Sequence, residues 1–191
     1  MKRASDVSRA ERALTEFLDA LGYDPNSAEL EGTPARVVEA YLHDLLSGET
    51  VDVAHLLKEG SVPGQANSLV MVRDIDIACL CPHHLLPAQG KAVVAYVPGT
   101  RLLGLGTIAA LVTALSRRLT LQERITEEVV ESLTQIGGAK GAYCRLELEH
   151  ACLRLRGQRQ SSAVVVTSKR NGCLLEPIWC AELSAQLGGL A

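Results

Sequence analysis

The sequence predicts an α+β fold in which an antiparallel four-stranded sheet carries helices on one face and follows an N-terminal helical extension. Apolar residues recur at helical spacing at the start of the chain and again in its middle. The segments with strand-like alternation come in consecutive pairs and do not alternate with helices. Paired strands of this kind are typical of an antiparallel sheet with helices packed to one side.

The N-terminal extension is predicted to contain two helices. In residues 6–22 the apolar side chains recur every three or four positions, and Gly22 ends the pattern. A second helix is predicted from Thr33-Pro34, because threonine is a good N-cap and proline is a good first helical residue.

The rest of the chain is predicted to carry the sheet. Residues 49–67 contain two glycines and a proline and are predicted to form a loop. We therefore divide the chain into a helical extension, residues 1–60, and a main domain, residues 61–191. The hydrophobic period predicts strands at 68–78, 90–97, 142–155 and 162–167, and helices at 107–118, 121–136 and 174–189. Four strands from one subunit leave two open edges, which an oligomer could cover by joining sheets.

The charge and hydropathy of the chain argue against two classes of partner. The sequence has 19 Lys and Arg against 22 Asp and Glu, a formal net charge of −3, whereas nucleic-acid binders usually carry a basic excess. No apolar run approaches the ~18 residues that a membrane-spanning helix needs. The N-terminus is polar and charged before any apolar run begins, unlike a signal peptide, so we expect a cytoplasmic protein.

The polar residues that could carry chemistry form two clusters. The first is Cys81-Pro82-His83-His84, directly after a predicted strand, and the second is Glu149-His150-Ala151-Cys152, in a later strand. A thiolate and an imidazole three residues apart can reach one zinc ion across a tight turn. Strand alternation would put His150 and Cys152 on the same face.

These clusters predict a catalytic metal site. Cys81, His84 and Cys152 would bind Zn²⁺ and leave one coordination position open, while His83 and His150 would remain beside the metal as acid–base groups. The alternative is that the cysteines are core thiols, since a cytoplasmic chain with six cysteines is expected to bury at least three of them as small hydrophobic residues.

Several segments are similar, in order and at matching spacings, to the GTP cyclohydrolase I family. The resemblance runs from about residue 32 to residue 168. The segments that carry it are Gly32-Thr33-Pro34-Ala35-Arg36-Val37, Cys81-Pro82-His83-His84, Gly90-Lys91-Ala92-Val93-Val94-Ala95-Tyr96-Val97-Pro98, Ser116-Arg117-Arg118-Leu119, Leu121-Gln122-Glu123-Arg124-Ile125-Thr126, and His150-Ala151-Cys152 with Arg156-Gly157.

The resemblance implies a tunnelling fold, with residues 61–191 as the catalytic domain. It also implies a homodecamer of two pentameric rings, with each active site between subunits. In the family a zinc-activated water attacks C8 of guanine, the imidazole ring opens, and formate leaves. Carried over by position, the zinc ligands are Cys81, His84 and Cys152, the proton-transfer residues are His83 and His150, and the substrate-binding residues are Gln122, Glu123 and Arg156.

Glu123 has a second interpretation that does not involve substrate. Thr120-Leu121-Gln122-Glu123 matches a capping box, in which the glutamate at the third helical position bonds back to the N-cap. Without the resemblance, the capping role is the better interpretation.

The sequence departs from the family in the region that binds ribose and triphosphate. Gly106, Thr107 and Ala110 stand where the family has Ser, Lys and Arg, and Glu39 stands where a Lys is common. Charge-assisted contacts to phosphate contribute roughly 1.5–3 kcal/mol each, so this loss should weaken triphosphate binding considerably.

Three functions are consistent with these residues. The departures favour a zinc-dependent hydrolase that opens a guanine-type purine at C8 and acts on a base or nucleoside without the triphosphate. The first alternative is an ordinary GTP cyclohydrolase I that makes 7,8-dihydroneopterin triphosphate and formate. In it, other cations would contact the phosphates, the candidates being Lys91, Arg101, Arg117, Arg118 and Arg154. The second alternative is a non-catalytic purine- or pterin-binding homologue.

Overall fold

The structure is a computed structural model that describes residues 5–188. The first four residues of the polar N-terminus, and the last residue of the helix predicted at 174–189, lie outside that range. The chain forms two compact units that divide between Ser47 and Gly48. The boundary expected between residues 60 and 61 stays a prediction.

The first unit is helical, as its sequence pattern predicts. Helix α1 spans Val7–Ala20, and the side chain of Asp6 caps it by accepting a hydrogen bond from the main-chain N–H of Arg9. Helix α2 spans Thr33–Glu39 and continues to Leu45 as a π-helical turn. The N-cap of α2 is Gly32, with a left-handed φ of 72°, so Thr33 is the first helical residue and not the cap.

The second unit contains most of the elements. In chain order they are α3 (Val53–Glu59), β1 (Ser61–Pro63), β2 (Val70–Leu80), β3 (Pro87–Val97), β4 (Arg101–Leu103), α4 (Leu105–Ser116), α5 (Gln122–Glu131), β5 (Gly141–His150), α6 (Ala151–Arg154), β6 (Val165–Arg170) and α7 (Pro177–Leu187). Among the described residues, the main sheet has the order β2-β3-β5-β6 with every neighbouring pair antiparallel, which confirms the predicted four-stranded sheet.

The alternation of side chains along these strands builds the main core. Ile77 of β2, Val94 of β3 and Leu146 of β5 lie on the face that α4 and α5 cover, where they pack with Leu111 and Ile125. Apolar side chains at every second strand position make this burial possible.

The opposite face of the sheet is partly covered by the C-terminal segment. Ala95 and Tyr143, the strand neighbours of core residues, pack with Leu174 and with Leu183 of α7 in a smaller cluster. The sequence predicts helices on one face of the sheet. Helix α7 adds a partial layer on the other face, opposite α4 and α5.

Two short features of the second unit were not predicted. Strands β1 and β4 form a two-stranded antiparallel sheet, and α3 precedes it inside the expected loop 49–67. Strands of three residues, one of them ending in Pro63, are too short to show an alternating pattern. Among residues 5–188, no helix has the length and apolar character needed to cross a membrane.

Candidate active site

The sheet brings the two predicted clusters to one end. Strands β2 and β5 run in the same direction because β3 lies antiparallel between them. Across this end the register aligns Cys79 of β2, Ala88 of β3 and His150 of β5. Cys81 follows the last residue of β2, and Cys152 lies two residues beyond the end of β5, so the two thiols share one end of the sheet.

A tight turn after β2 carries the first cluster. The main-chain N–H of Cys81 donates to the carbonyl of Leu86 at 3.1 Å, and that of Leu85 donates to the carbonyl of Cys81 at 2.9 Å. Cys81 is buried, whereas His83 and His84 are exposed, with their ring centroids 6.5 Å apart in an edge-to-face arrangement. The turn therefore holds the thiol inward and both imidazoles at the surface.

The second cluster differs from its prediction in one respect. Strand β5 ends at His150, and Cys152 lies in the short helix α6, so strand alternation does not extend from His150 to Cys152. The expectation that the two side chains share a strand face was therefore wrong. Cys152 is half-buried, and the neighbouring Arg154 is paired with Glu149.

The donor types at this sheet end fit zinc, because thiolates and imidazoles are the ligands that zinc prefers. In the part of the chain that the structure describes, no group of three or more His, Cys, Asp or Glu side chains is arranged to hold a metal ion. The ligand set Cys81, His84 and Cys152 therefore stays a prediction, based on donor chemistry and on the shared sheet end.

Cys79 is less suited to bind a metal. Burial, together with the nearby Cys81, raises the pKa of the Cys79 thiol to about 11. A metal ligand must be the thiolate, so the high pKa favours a role for Cys79 as a buried core residue.

His150 lies in a defined polar environment. Its Nε2 is 2.8 Å from Oε1 of Gln122. Burial lowers the pKa of His150, and the negative charge of Glu123 opposes this effect. The structure thus brings together His150, Gln122 and Glu123. The hydrogen-bonded residues Gln122 and His150 are 28 positions apart in the sequence.

Gln122 and Glu123 stand in different surroundings although they are adjacent. Gln122, the first residue of α5, is 2% exposed, whereas Glu123 is exposed. The N-cap of α5 is Leu121, and no side chain caps this end of the helix. The capping box considered for Glu123 is therefore absent, which leaves its carboxylate available for another role.

Two threonines that the sequence did not point to complete the surroundings of Gln122. The Gln122 amide nitrogen is 3.1 Å from the hydroxyl of Thr167, which is itself 2.7 Å from the hydroxyl of Thr126. Thr126 is one helical turn after Gln122, but Thr167 lies on β6, and no local pattern connects it to α5.

Of the positions at which the sequence departs from the resemblance, Thr107 has a structural role. The hydroxyl of Thr107 in α4 donates to the carbonyl of Gly60 at 3.0 Å and so fixes the segment between α3 and β1. Gly106 and Ala110 lie on the same helix. Glu39, at the end of α2, and Arg156, in the loop after α6, are both exposed.

Most of the cations suggested as replacements are bound to other protein groups. Arg101 donates to the Oγ and carbonyl of Ser61, at 2.7 and 2.8 Å, and Lys91 pairs with Asp76 at 2.7 Å. Arg118 donates to main-chain carbonyls, and Arg154 is paired as described above. Arg117 lines an open cavity of about 610 Å³.

Comparison with known proteins gives one consistent result. A sequence profile described as GTP cyclohydrolase I matches residues 10–179, a range that includes all eight site residues predicted from the sequence. Proteins named GTP cyclohydrolase 1 are similar over most of their length. The one from Leifsonia xyli subsp. xyli is 40% identical over 186 residues, 96% of each chain. Those from Deinococcus radiodurans and Campylobacter jejuni subsp. doylei are each 37% identical, over 91% and 87% of this chain and 81% and 87% of their own.

Proposed function

Because the chain belongs to the GTP cyclohydrolase I family, we propose that it hydrolyses GTP to 7,8-dihydroneopterin triphosphate and formate. The supporting observation is the shared sheet end of Cys81, His150 and Cys152, inside the range that the family profile matches. A substrate without triphosphate, which the sequence favoured, has less support, because relatives at 37–40% identity are named for GTP.

In this proposal, Cys81, His84 and Cys152 would hold zinc. When bound, zinc supplies Lewis-acid activation of water at neutral pH. The chain itself must move protons, because C8 of guanine is a poor electrophile until N7 gains a proton. His83 and His150 are the imidazoles that remain for this transfer. Burial lowers the pKa of His150, which keeps its ring neutral and able to accept a proton at neutral pH.

Glu123 is proposed to recognise the guanine edge. A carboxylate can accept hydrogen bonds from N1–H and from the exocyclic amine together, a pair of donors that adenine does not present. The exposed carboxylate lies close enough to His150 to affect its pKa, so both groups would act on one ring. The resemblance assigns Gln122 to the same edge, and the exposed Arg156 is proposed to contact the phosphates or ribose.

The protein is proposed to act as a homo-oligomer, a decamer of two pentameric rings with active sites between subunits. Within residues 5–188, β2 and β6 each have one neighbouring strand, so both edges of the main sheet are open apart from one bridge between Leu80 and Leu119 at the end of β2. Open edges of this length are usually covered in native proteins. Pairing between subunits would cover them.

A second candidate is supported by the residues of α4. Gly106, Thr107 and Ala110 offer no positive charge, and the Thr107 hydroxyl is bound to Gly60. This favours C8 hydrolysis of guanine or a guanine nucleoside. A third candidate, a non-catalytic purine- or pterin-binding homologue, would not need the two acid–base histidines.

Formate release separates the three candidates. Zinc-loaded protein is incubated with GTP, guanosine and guanine at equal concentrations, and formate and pterin are measured, with the His150→Ala variant as control. We expect formate and 7,8-dihydroneopterin triphosphate from GTP alone, and almost none from the variant. Formate from guanosine or guanine but not from GTP would establish the second candidate. No formate from any of them would leave the binding homologue.

A further inference from the structure

A buried hydrogen-bond network fixes the orientation of the Gln122 amide. Its nitrogen, Nε2, lies 3.2 Å from the main-chain oxygen of Leu146 and 2.9 Å from that of Val165. Carbonyl oxygens can only accept, so the amide atom that faces them must be the NH₂ group. The reverse orientation would place the amide oxygen against two other oxygens.

The two threonines extend this directionality. The Thr126 hydroxyl is 2.9 Å from the main-chain oxygen of Gln122, which can only accept, so Thr126 is the donor. Its single hydrogen is then used, and in the 2.7 Å contact between the two hydroxyls Thr167 must donate to Thr126. A lone pair of Thr167 faces the Gln122 amide nitrogen at 3.1 Å, so Thr167 and the two carbonyl oxygens share the two amide hydrogens. The network therefore determines which group donates and which accepts in each contact.

The same logic determines the partner of His150. With its NH₂ group directed at Leu146, Val165 and Thr167, Gln122 presents its oxygen, Oε1, to Nε2 of His150 at 2.8 Å. An amide oxygen can only accept, so Nε2 of His150 must carry a hydrogen. In the neutral ring the other nitrogen, Nδ1, then holds the lone pair.

We propose that Gln122 is a positioning residue that holds His150 in the Nε2–H tautomer and leaves Nδ1 as the atom that exchanges protons with the substrate. The role of Nδ1 rests on the proposed function, whereas the tautomer does not. This differs from the guanine-edge role that the resemblance implies for Gln122. The side chain is 2% exposed, and its oxygen and both amide hydrogens already have partners inside the protein.

The tautomer can be observed directly by ¹⁵N NMR of the histidine ring nitrogens in the intact oligomer, at a pH of about 8 where an ordinary imidazole is neutral. The His150 signals are assigned by their absence in His150→Ala. We expect a protonated Nε2 and an unprotonated Nδ1 in the wild-type protein. A protonated Nδ1 would overturn the proposal, and this measurement needs no folded variant of Gln122.

Variants then test whether Gln122 is the cause. In Gln122→Met, which keeps the length of the side chain but removes the acceptor, we expect a mixture of both His150 tautomers. Thr167→Val is the matched control, because it removes partly buried hydrogen bonds from the same network but leaves the contact between Gln122 and His150. We expect it to keep the Nε2–H tautomer. Equal loss of the tautomer in both variants would show a general structural role and overturn the proposal.

Kinetics distinguish positioning from substrate binding, using whichever substrate releases formate. Gln122→Met is expected to lower kcat by roughly 10-fold to 100-fold, as loss of a supporting hydrogen bond does, with KM unchanged. In the His150→Ala background, Gln122→Met should not lower kcat any further. A raised KM with unchanged kcat, or additive losses in the double variant, would contradict the proposal. If no substrate releases formate but the tautomer is as expected, the proposed function fails and the positioning of His150 stands.

Discussion

At the scale of single residues, the two thiols at the sheet end carry the most specific expectation. Cys81 lies after β2 and Cys152 in α6, and a zinc ligand must be both correctly placed and deprotonated. We expect the wild-type protein to bind roughly one zinc per subunit, and Cys81→Ser and Cys152→Ser to lose it. The measurement is metal content by mass spectrometry after dialysis.

Two controls make the zinc experiment specific. Cys173→Ser, a half-buried cysteine near α7, should keep the metal, and so should His150→Ala, since His150 is assigned to proton transfer. Loss of zinc from His150→Ala would mean that His150 is a ligand. Full zinc content in both cysteine variants at the sheet end would remove the ligand assignment.

A second residue-scale prediction concerns alkaline stability. Burial raises the pKa of the Cys144 thiol to about 12, from the 9.0 expected in the unfolded chain. The protonated thiol is favoured in the folded state, so its contribution is complete below pH 9 and is lost as pH rises toward 12. Between pH 9 and 11 this group should lower the free energy of unfolding by about 2 kcal/mol.

Urea unfolding of wild-type protein and Cys144→Ala, at matched protein concentration, measures the effect of this one thiol. The variant starts less stable because it leaves a cavity, but its stability should fall less steeply between pH 9 and 11. Cys79, whose pKa is also raised by burial, titrates in both proteins and cancels in the comparison. The pKa of Tyr143 is raised mainly by burial and in part by Cys144, so removing Cys144 also lessens this shift and acts in the same direction. Parallel slopes for the two proteins would contradict the prediction.

The sequence predicts the residue types of the candidate site, but only part of their arrangement. The residue types Cys81, His150 and Cys152 were predicted, and the sheet brings them to one end. The path of the chain after His150 was not predicted, because a four-residue helix leaves too short a pattern. The surroundings of Gln122 could not be predicted either, since Val165 and Thr167 reach it across more than 40 residues of chain.

At the scale of elements, the surroundings of Gly90 and Gly106 predict that replacement by alanine changes stability in opposite directions. A Cβ on Gly90 of β3 would lie 2.0 Å from the main-chain oxygen of Glu147 on the paired strand, where only movement of the backbone could make room. A Cβ on Gly106 of α4 would have no atom within 4 Å.

We therefore expect Gly90→Ala to destabilise the protein by at least about 2 kcal/mol through overpacking. Gly106→Ala should stabilise it by about 0.5–1 kcal/mol, because alanine loses less backbone entropy in a helix. Thermal and urea unfolding of the two variants check both signs. A neutral Gly90→Ala would mean that β3 and β5 are farther apart than described.

The elements show why some of the fold was predictable. The long strands β2, β3 and β5 have ten or eleven residues. Over that length an alternation of apolar and polar side chains can be distinguished from a chance pattern, and it also indicates which face is buried. The pair of β1 and β4 has three residues in each strand and is held by contacts such as those of Arg101 with Ser61. Contacts of that kind depend on tertiary structure and leave no periodic trace in the sequence.

At the scale of the whole molecule, the open edges β2 and β6 predict an assembly. We expect light scattering after size-exclusion chromatography to give a mass near ten times the 20.4 kDa of one chain. The mass should persist on dilution, because edge pairing adds main-chain hydrogen bonds along whole strands. A stable species of 20.4 kDa at micromolar concentration would contradict both the assembly and active sites shared between subunits.

The contact between Thr107 and Gly60 also bears on how this chain can evolve. The Thr107 hydroxyl fills the space beside Gly60, where a Cβ would lie 2.1 Å from it. A lysine at position 107, which the resemblance places there, has no hydroxyl to make this contact, so any gain in phosphate binding would be offset by a loss of local stability. A Cβ at position 60 would also lie 2.8 Å from the Cβ of Thr107, so position 60 is closed to a side chain whichever residue with a Cβ stands at position 107. Position 60 is therefore restricted to glycine, whereas position 107 can change only with loss of the hydrogen bond that fixes the segment between α3 and β1.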